Sequence, residues 1–153
     1  MELGQIVKLY IPHFKKERYY LVYQISSFID FTLLNITDRD KRESIKSEIT
    51  QHKLRTEITP GIISLVNLNT EILINDELLY ELIDKLPQQN KNGDPLPSIS
   101  REERVEIIKG VKDCFSNKKF RGNRYKEEQK VIDFIDKEIT PQAESGEVGA
   151  KGI

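Results

Sequence analysis

Residues 18–37 read RYYLVYQISSFIDFTLLNIT, and the fold class turns on this stretch. Tyr19, Leu21, Tyr23 and Ile25 share one face of an extended chain, because successive side chains alternate across a strand. Beyond Ser26 and Ser27, Ile29, Phe31 and Leu33 oppose Asp30 and Thr32. Two strand-like runs across so short a polar turn predict an antiparallel hairpin. Arg18 and Thr37 then stand near its open end.

Working outward, GQIVKLYIP (4–12) alternates Val7, Leu9 and Ile11 with Lys8 and Tyr10. Pro12, which has no N–H for a ladder, closes that run. The charged stretch 38–61 offers short strands at SEIT (47–50) and KLRTEI (53–58). Pro60 and Gly61 form a turn before IISLVNLNTEILI (62–74), an apolar, β-branched run long enough for one bent strand or two. Five or six strands with no helical crossover predict an antiparallel barrel or sandwich.

The period then changes. Asn75 caps DELLYELIDKL (76–86), where Leu78, Leu79, Leu82, Ile83 and Leu86 recur at helical spacing behind acidic first-turn residues. PQQNKNGDPLPS (87–98) is rich in turn formers and reads as a mobile surface loop. SREE (100–103) is a capping box, and Val105, Ile108, Val111 and Phe115 form the expected buried stripe of the helix it opens, with Cys114 beside it. A third helix is expected at 123–139, presenting Tyr125, Ile132, Ile135 and Ile139. The tail 140–153 has too little apolar surface to fold and is expected to be disordered.

The chain has 153 residues, enough for one core, so the expectation is α+β, mainly β. A single domain spans 1–139, with a barrel at about 3–74 and helices at 76–86, 100–115 and 123–139. With 24 basic against 25 acidic side chains, no global field draws nucleic acid to the whole surface, and binding of that kind has to be local. One cysteine excludes an internal disulfide, and no Cys/His spacing matches a zinc site. No secretory signal or membrane-span run is present, so a soluble, cytoplasmic protein is expected.

Several stretches, in this order, resemble the MazF/PemK (Kid/CcdB-like) family of toxin endoribonucleases. GQIV (4–7) resembles that family's first strand, ERYYLVYQI (17–25) its second and LLNIT (33–37) its third. GIISLVNLNTEILINDELL (61–79) resembles the strand that leads into a helix, and SISREERVEIIKGVKDCF (98–115) the closing helix. The resemblance implies a small SH3-like antiparallel barrel with C-terminal helices, and a homodimer. It also implies a type II toxin, neutralised by a small antitoxin, that cleaves single-stranded RNA without metal or cofactor.

Such cleavage turns the 2′-hydroxyl on its own phosphate. It needs a base, an acid for the leaving oxygen, and donors for the phosphorane. Carried over by resemblance, the catalytic pair is Arg18 and Thr37. Arginine suits phosphate through its planar, permanently charged fork. Neither is a base at neutral pH, so His13 is the candidate for proton transfer. Lys15 and Lys16 would hold the backbone, with Asn69 and Thr70 at the position of the family's Arg-Thr. Taken without the resemblance, Arg18 reads as a solvated strand charge, Thr37 as a hydroxyl bonded to local backbone, and His13 as a surface histidine. The Asn69 replacement, and a glycine-rich loop reduced to HFKKE (13–17), leave a second reading open. In it the chain is an SH3-like RNA- or protein-binding module that has lost the nuclease.

Overall fold

The computed structural model describes residues 1–11, 16–25, 30–39, 50–117 and 122–126. Six strands and two helices follow in chain order. They are β1 (Ile6–Ile11), β2 (Lys16–Ile25), β3 (Asp30–Arg39), β4 (Gln51–Lys53), β5 (Ile63–Asn75), α1 (Asp76–Asp84), α2 (Arg101–Ser116) and β6 (Asn123–Lys126). The sheet runs β1-β2-β3-β5-β4, every pair antiparallel, and among the described residues no pairing closes β4 back onto β1. The protein is therefore α+β and mainly β, built on an open path of strands.

The expected hairpin is present: Tyr19 lies opposite Ile36 and Ile25 opposite Phe31. Its turn, Ser26 and Ser27, lies outside the described residues, as do Pro12 and residues 47–49 of the strand expected at 47–50, whose last residue, Thr50, is in a turn. The charged stretch instead contributes β4 at Gln51–Lys53, and Leu54 and Ile58 beyond it go into the core as irregular backbone.

Both faces of the hairpin are buried, not one. Tyr19, Leu21 and Tyr23 join Leu34, Ile36, Val66 and Leu68 in a cluster with Ile107, Val111 and Cys114 of α2. Tyr20, Val22 and Leu33 join Val7, Leu9, Ile11, Ile72 and Ile74 in another with Leu78, Leu79 and Leu82 of α1. The sheet is thus the middle layer between two helices, which explains why YYLVY lacks a polar face. A strand covered on both sides reads as a continuous apolar run.

β5 is the spine of the sheet and one bent strand. Its first part pairs Ile36 with Val66 and its second pairs Leu34 with Glu71, so extra β5 residues bulge out between them. β4 covers the other edge of β5 only at Leu65–Asn67, which would leave the backbone of Thr70–Leu73 unpaired. β6 fills that gap in parallel, with Glu71 opposite Arg124 and Ile72 opposite Tyr125. The helix expected to begin at Asn123 is therefore a strand at its start. Its remainder, 127–139, and the tail 140–153 lie outside the described residues.

Asn75 caps α1 as expected, its side chain accepting from Leu78 N. Ser100 caps α2, accepting from Glu103 N at 3.1 Å. The buried side of α2 is rotated from the expected stripe: Glu103, Ile107, Val111 and Cys114 face in, while Val105 is exposed. The cause is Glu103, whose buried carboxylate takes the place of an apolar residue on the inner face.

Residues 87–98, expected to be a mobile surface loop, are tied with Ile99 along the outer edge of β1. Ile6 N donates to Pro97 O, Ile99 N donates to Gly4 O, and Lys8 N donates to the Gln88 side chain. Asn90 fixes the turn within this segment. It is 5% exposed, donates to Ile58 O at 2.8 Å, and accepts from Asn92 N and Asp94 N. Gly93 supplies the left-handed residue of that turn at φ 83°.

Candidate functional site

A cavity of about 410 Å³ opens at the end of the β2–β3 pair away from its turn, lined by Lys8, Glu17, Arg18, Tyr19, Ile36, Thr37, Asp38 and Lys91. Four short elements build it. β1 brings Lys8, β2 brings residues 17–19, β3 brings residues 36–38, and the β1-edge segment brings Lys91.

Arg18 is the third residue of β2 and Thr37 the eighth of β3, so neither ends its strand. Their positions follow from the register. Tyr19 and Ile36 are the last opposed pair of the β2–β3 ladder, and Arg18 and Thr37 are the next residues beyond it on the two strands. Directly opposed residues share a face, so this pair lies on the side of Tyr20 and Asn35, while Glu17, Tyr19, Ile36 and Asp38 alternate to the other. The cavity lining therefore draws on both faces. Thr37 also faces Leu65 of β5, which places it between two strands and away from any loop.

The acidic groups are already engaged. Lys8 Nζ stands 3.7 Å from Glu17 Oε2. Ser64 Oγ donates to Asp38 Oδ1 at 2.7 Å, across the pair that joins β3 to β5. Lys8 itself is clamped by Gln88, which accepts from its N–H at 2.8 Å and donates back to its carbonyl at 2.9 Å. Burial pushes the Tyr19 phenol above the usual tyrosine range, against a lowering from its hydrogen bond with Thr59, and the carboxylates of Asp38 and Glu17 add smaller upward pushes. Tyr19 consequently stays protonated and able to donate. Among the described residues Lys91 has no hydrogen-bond or ion-pair partner. The lining residues include two lysines, an arginine, a tyrosine and a threonine, with Arg18 and Thr37 on one face of the sheet and Lys8 and Tyr19 on the other; residues of these types can donate to a phosphodiester.

The other expected site residues divide. His13 and Lys15 lie outside the described residues, and Lys16 is placed only as the first residue of β2, opposite Ile11. Asn69 and Thr70 do not line this cavity. They sit in the bulge of β5, where Asn69 N donates to Asn67 Oδ1 and Thr70 Oγ1 to Asn69 Oδ1. In comparisons with known proteins, no family model matches this chain and no curated protein matches it.

Lys8, Glu17, Tyr19, Asp38 and Lys91 were not read from the sequence as site residues. Lys8 and Asp38 look like ordinary polar positions of a half-exposed strand, and Tyr19 like core. Only Lys91 carried a signal, a lysine flanked by two asparagines in a turn.

Proposed function

We propose that this chain is a metal-independent endoribonuclease of the MazF/PemK type, a type II toxin with an SH3-like barrel that cuts single-stranded RNA as a homodimer until a small antitoxin binds it. The observation that carries this reading is the shared cavity of Arg18 and Thr37, brought onto adjacent strands by a hairpin that the resemblance requires to be in register. Arg18 would bind the scissile phosphate in its planar fork, and Thr37 would donate to a second phosphate oxygen. Lys8 would add positive charge as the phosphorane forms. Bases of the strand would be splayed outward, as single-stranded RNA recognition requires.

The test is incubation of the purified protein with a mixed-sequence RNA in EDTA. Cleavage that Arg18→Ala lowers by at least 100-fold supports the reading, since one lost oxyanion donor costs about 10²–10³ in rate. Intact RNA, or cleavage indifferent to Arg18, removes it. A second reading, a binding module without the nuclease, is favoured by one observation: Glu17 and Asp38, the carboxylates in the cavity, are held by Lys8 and Ser64 and are poorly placed to accept a proton. Retained RNA binding with no cleavage would establish it.

A further inference from the structure

We infer that Lys91 is a phosphate contact of the cavity and that Asn90 is the positioning residue that presents it; the inference rests on the RNA reading above. The sequence makes residues 87–98 a polar connector with no assigned role. The structure makes the centre of that connector a built device.

Asn90 is buried, although asparagine in a surface turn is ordinarily solvated. Its side chain meets three backbone groups at once, donating to Ile58 O and accepting from Asn92 N and Asp94 N. Its own N–H donates to Asp94 O at 2.9 Å, and Gly93 N closes the turn onto Asn90 O at 3.1 Å. The ring of bonds ties this turn to Ile58, beside Thr59 under the β5 entry, and a pinned residue pins its neighbour. That neighbour is Lys91, exposed and lining the cavity that holds Arg18 and Thr37.

Charge complementarity points the same way. Lys8 faces Glu17 at 3.7 Å and Asp38 is bonded by Ser64, whereas Lys91 has no partner among the described residues. A flexible lysine contributes little to a surface ion pair because its side-chain freedom must be lost on pairing. Holding the backbone beneath it leaves that cost in place but removes the separate one of ordering the turn when the ligand arrives. Lys91 is thus suited to a phosphate neighbouring the one at Arg18, a contact that adds affinity without reading sequence.

The experiment measures binding of a mixed-sequence, 2′-O-methylated RNA oligonucleotide, which cannot be cut through its 2′ position, as a function of salt. Removing one phosphate contact on a single strand lowers the slope of log Kobs against log salt by about 0.7, which is about fivefold in affinity at 0.1 M salt. Lys91→Gln is expected to show both changes, Lys91→Arg to restore the slope, and Asn90→Ala to lower the slope by the same amount. The double variant Asn90→Ala with Lys91→Gln is expected to show no further drop in slope. Circular dichroism checks each fold, and Lys91→Gln decides the matter even if Asn90→Ala does not fold. If the unmodified protein and Arg18→Ala bind alike or not at all, the RNA reading fails and takes this inference with it. If Arg18→Ala weakens binding while Lys91→Gln leaves slope and affinity unchanged, the RNA reading stands and Lys91 has no part in it.

Discussion

Replacing Glu103 by alanine tests how the closing helix is fastened to the sheet. The Glu103 side chain is 2% exposed and its Oε2 lies 2.8 Å from His52 Nε2 and 2.9 Å from Arg55 N. Alanine orphans both donors at once. A fully buried orphan costs about 1–3 kcal/mol, but Arg55 is exposed and the His52 side chain is 19% exposed, so water reaches each and the lower end applies. Two such groups, with the loss of an acidic residue in the first turn worth about 0.3–1 kcal/mol, come to about 2.5 kcal/mol. For a domain of this size each kcal/mol moves the midpoint by about 2–4 °C, so the loss corresponds to about 5–10 °C. Urea unfolding followed by circular dichroism measures it, with an unchanged denaturant slope showing that both states keep their compactness. Glu103→Gln, which keeps one acceptor oxygen, should lose less than half as much. His52→Ala combined with Glu103→Ala should fall short of the sum of the two singles by at least 0.5 kcal/mol, as contacting residues do. A Glu103→Ala protein that melts within about 1 °C of the original would refute the account of α2 docking.

On the opposite face, Leu79 of α1 is fully buried against the sheet, and Leu79→Ala should cost about 2–5 kcal/mol in the same assay. A loss below 1 kcal/mol would mean that α1 is not packed as described. Burial holds both Tyr19 and Cys114 protonated above their usual ranges, Asp113 adding to the effect on the thiol. A pKa raised by folding gives stability that is complete below the unfolded value and disappears as pH climbs through the folded one. Stability should therefore decline above about pH 8.5 and more steeply above about pH 10. The double variant Tyr19→Phe with Cys114→Ala should flatten that decline, and an identical profile between pH 8 and 11 would contradict it.

The hairpin was legible because Tyr19 to Leu33 is a local pattern, and strand alternation needs only the chain itself. Asn75 and Ser100 were legible as caps for the same reason. What escaped was everything set by distant partners. The apolar periodicity around Val105 assumes that charged residues face water, and Glu103 breaks that assumption only because His52 and Arg55 N, some fifty residues earlier, receive its carboxylate. Residues 123–126 read as helix because their neighbours are helix formers, yet the vacant edge of β5 captures them as a strand. Arg18 and Thr37 could be paired from the sequence by counting back from the turn. Lys91 could not, since its place at the cavity depends on the 87–99 segment folding back along β1, a path that no local signal announces.

Gln88 shows what that path means for how this molecule meets others. A terminal strand normally offers its free amides and carbonyls to any passing chain, and aggregation starts at such rims. Here a single carboxamide reads the Lys8 peptide as a neighbouring strand would, giving to its oxygen and taking from its nitrogen. Pro97 O covers the rim at Ile6, but at Lys8 it is closed by one side chain that a point change can delete, so a Gln88→Leu protein would keep its core and expose the border there.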